Sequence, residues 1–246
     1  MRSGWSLPLS EVEIARIAGD ISHQGYASIA SYFAENDLEP LRKLIHETGD
    51  DPLGKYAKLQ ERSYLAGTLL AELPAAPQFQ MLCRRLYELG TGLTTQETGF
   101  YQVVRCLRGA LGLKNSYRFH YDTYVLTVLT PIIFPDEGPH GDLLMFPNMR
   151  PIRRMYLQNL IDKILVDNPI SQRLLKALAK RRRLGATRIK IHPGNVYFFW
   201  GYRSIHANEP CNTEKLRATA LLHFGDPYQG SKARALLRGA RRLATA

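Results

Sequence analysis

Apolar residues recur at helical intervals along the first hundred residues and at shorter, alternating ones along the next hundred. Residues 10 to 20 have helical character, and GYASIASYF (25–33) reads as a short, partly alternating strand. Glu35, Asn36 and Asp37 offer helix-starting side chains ahead of leucines spaced for a helix over residues 38–45. A further helix is predicted over 77–91, with Phe79, Leu82, Leu86 and Leu89 as its apolar stripe and Gly90 as its stop. From Phe100 onward short runs rich in Tyr, Val, Ile, Thr and Phe take over: FYQVVRCL, SYRFHYDTYVLTVLTPIIF, GDLLMFP, TRIKIHPGNVYFFWG, SIHANEP and RATALLHFG. Gly141, Pro147, Pro193-Gly194, Gly201 and Pro210 punctuate them, as turns in a barrel or sandwich would. One segment, 153–184, returns to helical spacing in Leu157, Leu160, Ile161, Ile164 and Leu165, then in Leu174, Leu175 and Leu178 beyond Asn168-Pro169. It predicts a two-helix insertion that either covers a flank of the sheet or forms a lid beside a site.

The expected class is therefore mainly β with flanking helices (α+β), in one domain. Residues 1–98 form a mostly helical support, 99–227 a β core carrying the insertion, and 228–246 a basic tail. With 246 residues, 45% of them hydrophobic, the chain can bury a sizeable core. Its longest apolar run, Tyr124 to Phe134, is broken by Thr127, Thr130 and Pro131 and falls short of the roughly 20 residues of a membrane span. The N-terminus lacks a continuous apolar stretch and soon becomes acidic, which argues against a secretory signal and for a cytoplasmic protein. Cys83, Cys106 and Cys211 show no paired spacing, so reduced thiols are expected rather than a disulfide framework or a zinc module. The net charge of +11 is concentrated in Arg150 to Arg154, Lys180 to Arg183 and Lys232 to Arg242. Solvated helix faces, an anionic substrate, a membrane surface and nucleic acid all suit such runs, and charge alone does not choose among them.

His120 and Asp122 are two apart on a predicted strand, which puts both side chains on one face. The pair is a weak signal by itself, and a second copy, His140-Gly141-Asp142, sits in a Pro/Gly turn with no fixed strand face. Among the later histidines, His192 stands at a turn and His223 suits a core position inside an apolar strand. His206, after the strand VYFFWG and the Gly201 turn, is the better candidate for a third ligand. Eleven residues on, Arg217 interrupts an apolar strand. Burying a guanidinium there is costly unless it meets an anion, either an internal acid or the carboxylate of a ligand gripped by two parallel hydrogen bonds.

Two imidazoles and a carboxylate from His120, Asp122 and His206 fit a facial triad on iron(II), which leaves three coordination positions for substrate and oxygen. His-x-Asp, a long gap, His, then Arg, all in β context, resembles the iron(II)- and 2-oxoglutarate-dependent oxygenases. The likeness covers most of residues 25–227. GYASIASYFAENDLEPLRKLI looks like the N-terminal support of the phytanoyl-CoA dioxygenase-like branch, and PDEGPHGDLLMFPN like its Gly-x-Leu strand, which leaves His140 in a turn.

The resemblance implies a double-stranded β-helix, a squashed jelly-roll barrel like that of the cupins, with eight core strands and helices outside. It implies His120, Asp122 and His206 on Fe(II), with Arg217 and the hydroxyl of Thr219 on the distal carboxylate of 2-oxoglutarate. It further implies oxidative decarboxylation to succinate and CO2 coupled, through O2, to hydroxylation of an unactivated C–H bond. Halogenating members carry Gly or Ala at the carboxylate position, so Asp122 favours hydroxylation. Nucleic-acid demethylases carry a second arginine six residues after the first, where this chain has His223, so nucleic acid is not the expected substrate. The expected one is a small molecule, an amino acid or a natural-product intermediate, and Arg118 and Asn208, two residues from metal ligands, could contact it. Arg118 would suit an anionic group. Lipids and sugar acids stay open, as does a ligand-binding cupin-like barrel without catalysis. The tail SKARALLRGARRLATA could touch an anionic lipid surface or pack on its own domain.

Overall fold

Ser10 opens the first helix, α1 (Glu11–Gln24), in the computed structural model, which describes residues 10–47, 65–228 and 231. The Ser10 side chain accepts from the Glu13 N–H and the Glu13 carboxylate accepts from the Ser10 N–H, a reciprocal cap. Gly25 ends the helix at φ 94°, four residues beyond the expected stretch. The glycine is required twice over, because a Cβ there would also lie 2.7 Å from Pro147.

The strand predicted at 25–33 shrinks to β1 (Ala27–Ile29), since Ser31 turns the chain at φ 50° and its N–H goes to the Asn195 side chain. Helix α2 (Glu35–Glu47) follows with Leu38, Leu41 and Ile45 buried. Then come a single helical turn, α3 (Leu69–Glu72), and α4 (Pro77–Thr91). Phe79, Leu82 and Leu86 of α4 point inward as expected, whereas Leu89 is exposed and Cys83 and Tyr87 complete the buried face. Gly90 is not the stop. It lies within the helix because its missing side chain makes room for Trp200, and Gly92, at φ 72°, ends α4 instead.

The β part contains β2 (Tyr101–Leu107), β3 (Leu126–Ile133), β4 (Leu143–Phe146), β5 (Thr187–Ile189), β6 (Val196–Phe199), β7 (Ile205–Asn208) and β8 (Arg217–Phe224). A short helix, α5 (Gly109–Lys114), follows β2, and the insertion forms α6 (Tyr156–Asp167) and α7 (Pro169–Lys180) between β4 and β5. The strands build two antiparallel sheets, ordered β1-β6-β3-β8-β2 and β5-β4-β7. The result is a mixed α and β fold. No helix among the described residues is long and apolar enough to cross a membrane.

Period two sorts the long strands cleanly. Ala218, Ala220, Leu222 and Phe224 of β8, with Leu126 and Val128 of β3, pack against the N-terminal helices in one buried cluster. Their neighbours Arg217, Thr219, Leu221 and His223, with Thr127 and Leu129, face the opposite way. There they meet Leu143 of β4 and His206 of β7, enclosing a cavity of about 210 Å3 between the sheets.

The insertion departs from its sequence pattern. Asn168 ends α6 and caps α7, accepting from the Ile170 and Ser171 N–H groups. Leu175 and Leu178 of α7 pack partly against Phe119, Phe146 and Ala207, as a flank-covering helix should. On α6, however, Leu157, Ile161, Ile164 and Leu165 face outward, while Asn159 is buried.

Candidate metal centre

The run before β3 is not the regular strand its composition predicts. Tyr117 sits at φ 54°, and residues 118–125 are irregular apart from an isolated antiparallel bridge between His120 and His206. His120 N–H donates to His206 O and His206 N–H to His120 O, each at 3.0 Å. This one rung places the two imidazoles side by side, with ring centres 4.4 Å apart. The Asp122 N–H donates to Gly201 O at 2.9 Å, which anchors the carboxylate against the turn after β6. One donor atom from each of His120, Asp122 and His206 lies within 4.8 Å of the others. The three side chains that the sequence spacing singles out are thus brought together through a bridge and a turn rather than through strand alternation.

Hydrogen bonds set the donor atoms. His120 Nδ1 meets Arg118 O at 3.0 Å and His206 Nδ1 meets Ser204 O at 3.1 Å. A carbonyl only accepts, so each Nδ1 carries a proton and each Nε2 is the nitrogen turned toward the carboxylate. Those Nε2 atoms lie 3.7 and 3.5 Å from the Asp122 carboxylate. Thr127 donates to Asp122 Oδ2 at 2.5 Å and, its one proton spent, accepts from His223 Nδ1 at 3.1 Å. Burial would raise the Asp122 carboxyl, but the imidazoles of His206, His223 and His120 outweigh it and hold the group well below the usual range. His120 is held low by desolvation and by neighbouring His206, although 41% of its side chain still faces the pocket mouth. Burial would lower His206, but the facing Asp122 carboxylate prevails and raises it, so a metal entering here displaces a proton from His206 Nε2. Two imidazole nitrogens and one ionised carboxylate are then the donor set for a divalent transition metal such as iron(II).

Arg217 is buried on the same cavity wall. Its Nε donates to Gly141 O at 3.1 Å and its guanidinium lies 4.8 Å from the Phe134 ring centre. Among the described residues no carboxylate forms an ion pair with it; the nearby Asp142 carboxylate supports the charge only at longer range and is itself paired with Arg188. Burial, followed by the like charge of Arg105, pushes it down to about 10. Thr219 lines the cavity two residues along β8, and Asn208 lines it on β7. Arg118 is exposed and lines an adjoining pocket of about 620 Å3 that shares His120 and Arg105 with the first.

The second His-x-Asp pair stays out of the cluster. His140 Nδ1 meets Pro135 O, and Asp142 pairs with Arg188 at 3.2 Å. Gly141 nevertheless matters, because a Cβ there would lie 2.8 Å from Arg217 Cδ. His192 remains a turn residue outside the cluster. His223, which suited the core, lines the cavity between Tyr101 and Tyr124, with ring centres at 6.0 and 5.8 Å. Arg105, Thr127 and Gly201 were missed. Arg105 interrupts an apolar strand much as Arg217 does, so the same criterion finds it. Thr127 meets His223 only through the β3–β8 register, which no local pattern displays.

Neither a family model nor a curated protein sequence matches the chain. Solved structures do. A prolyl-4-hydroxylase of Pseudomonas putida is 13% identical, with 92% of this chain and 98% of that one covered at a TM-score of 0.53. A prolyl hydroxylase of Trichoplax adhaerens, solved with a peptide of hypoxia inducible factor, is 13% identical over 89% and 93% of the two chains at 0.52. EctD from S. alaskensis, in its apoform, is 18% identical over 89% and 78% at 0.52. At these identities the likeness is one of fold.

Proposed function

We propose that the protein is an iron(II)- and 2-oxoglutarate-dependent dioxygenase of the phytanoyl-CoA dioxygenase-like branch, built on a double-stranded β-helix in a single oxygenase domain. It hydroxylates an unactivated C–H bond of a small molecule, and we place it in the cytoplasm. The observation that carries this reading is a buried Arg217, without an ion pair among the described residues, on the wall of the cavity that also holds His120, Asp122 and His206.

His120 Nε2, His206 Nε2 and an Asp122 oxygen would hold the metal, and the Arg118 and Ser204 carbonyls keep the imidazole protons on Nδ1. Bound iron(II) would supply, with 2-oxoglutarate and O2, an oxidant able to attack a C–H bond, releasing succinate and CO2. Arg217 and Thr219 grip the distal carboxylate of the cosubstrate, and Leu129, Leu143 and Leu221 screen it from water. Phe134 and the Gly141 carbonyl orient the guanidinium. Asn208 and, across the His120 side of the site, Arg118 contact the substrate, an arrangement suited to an anionic one. Asp122 keeps a carboxylate where halogenating members have none.

The test is succinate release by protein loaded anaerobically with iron(II), screened over amino acids, nucleotides and lipid-linked acids. Asp122→Ala and His206→Ala should each abolish turnover, while Arg217→Met should raise the KM for 2-oxoglutarate. Turnover surviving both ligand changes would sink the proposal. Binding of 2-oxoglutarate with no succinate under any condition would support a non-catalytic, cupin-like barrel.

A further inference from the structure

Helix α6 is amphipathic and mounted with its polar side inward. Asn159 and Asp162 each accept from Arg150 at 2.9 Å, Arg153 reaches Asp162 at 2.7 Å, and Lys163 donates to Thr123 at 2.9 Å. The outward side is aliphatic, with Leu157, Ile161, Ile164 and Leu165 at intervals of four, three and one. Ile170 and Leu174 continue the pattern on α7, and all six side chains are 50–78% exposed. Scattered apolar residues on a surface need no explanation, but a stripe repeated on two consecutive helices marks a contact surface.

Charge identifies the partner. Residues 153–184 carry nine Lys and Arg against two Asp. Two copies of the chain meeting through this face would bring like charges together, which disfavours self-association. Long aliphatic side chains on a helix pair bordered by cations are the pattern of a helix lying in the headgroup region of an anionic bilayer. The stripe also reaches the site. Ile164 is both an exposed member of it and part of the wall of the larger pocket, which reaches His120 and contains Arg118 and Lys163.

We propose that the α6–α7 hairpin docks the protein on an anionic lipid bilayer. Docking does not depend on the oxygenase reading, so it is measured on the full chain without metal or cosubstrate. Purified protein is sedimented with vesicles of phosphatidylcholine alone and of phosphatidylcholine mixed with phosphatidylglycerol. The wild type should pellet with the mixed vesicles and stay in solution with the neutral ones. Leu157→Ser/Ile161→Ser/Leu165→Ser should weaken the association by about tenfold or more. Arg181→Glu/Arg182→Glu/Arg183→Glu, which leaves the stripe intact, should weaken it comparably and make it insensitive to salt. Melting curves matching wild type establish that both variants fold. Failure of the wild type to bind mixed vesicles overturns the proposal. Binding that survives the stripe variant also overturns it, because the contact then lies elsewhere, as in the tail at 232–242. So does a wild-type dimer that the stripe variant dissociates while vesicles are ignored.

Discussion

Replacing Gly201 by alanine tests the site without touching a metal ligand. The new methyl carbon would lie 2.1 Å from Asp122 Oδ2, 2.8 Å from its Cγ and 2.6 Å from Thr127 Oγ1. A carbon and an oxygen in contact rest about 3.3–3.6 Å apart, so the carboxylate or the turn must yield by more than ~1 Å. Asp122 has little freedom to retreat. Its N–H is tied to the carbonyl of Gly201 itself, and Oδ2 is held by the Thr127 hydroxyl. Working metal and catalytic sites tolerate displacements of about 0.5 Å. The expected loss is that of a disturbed ligand-orienting partner, about 10–100-fold in iron(II) affinity, or roughly 1.4–2.8 kcal/mol. Anaerobic iron(II) titration of wild type and variant measures it, with urea midpoints confirming that both remain folded. Gly99→Ala is the control, since a Cβ there meets nothing within 4 Å. A Gly201→Ala protein that folds and binds iron(II) within about twofold of wild type would refute the assignment of Asp122 as a ligand held against this turn.

Three further outcomes follow from the packing. Gly19→Ala, on the exposed side of α1 where a Cβ has open space, should stabilise the protein by about 0.5–1 kcal/mol and leave iron affinity unchanged; a lower urea midpoint would count against it. Arg150 lies 3.8 Å from the Tyr121 ring centre and 4.2 Å from that of Tyr202 while holding Asn159 and Asp162, so Arg150→Met should cost about 3 kcal/mol and alter the near-ultraviolet tyrosine signal. Burial would raise the Asp162 carboxyl, but hydrogen bonds from Arg153 and Arg150 prevail and lower it. Its contribution to stability is therefore complete above the unfolded value of about 3.9 and disappears as pH falls through the folded value. The urea midpoint of wild type should then drop more steeply below about pH 4 than that of Asp162→Asn, and parallel acid limbs would contradict this.

The helices and most strands were legible because each buries one face and therefore repeats. What escaped the pattern did so for local reasons. Gly90 and Gly92 are indistinguishable in sequence as helix stops, and the decision rests on Trp200, which lies far along the chain and needs the space above Gly90. The α6 leucines and isoleucines gave a correct helix but not its orientation, because the buried cation Arg150 and its partners Asn159 and Asp162 turn the polar side inward. The triad His120, Asp122 and His206 could be read from residue types and chain order. The hydroxyl bridge through Thr127 to His223 could not, since it exists only once β3 and β8 are in register.

The rung between His120 and His206 also sets a timetable. A nascent chain that has exposed residue 122 offers only two of the three donors of the cluster, His120 and Asp122. The third donor arrives only after the insertion has been synthesised and β7 has closed onto its partner, and the same two backbone hydrogen bonds that complete the bridge complete the donor set. On the proposed function, iron loading would be an event of the finished fold, and the metal, by favouring the closed bridge, would join the early and late parts of the chain as a cross-link that a chelator can remove.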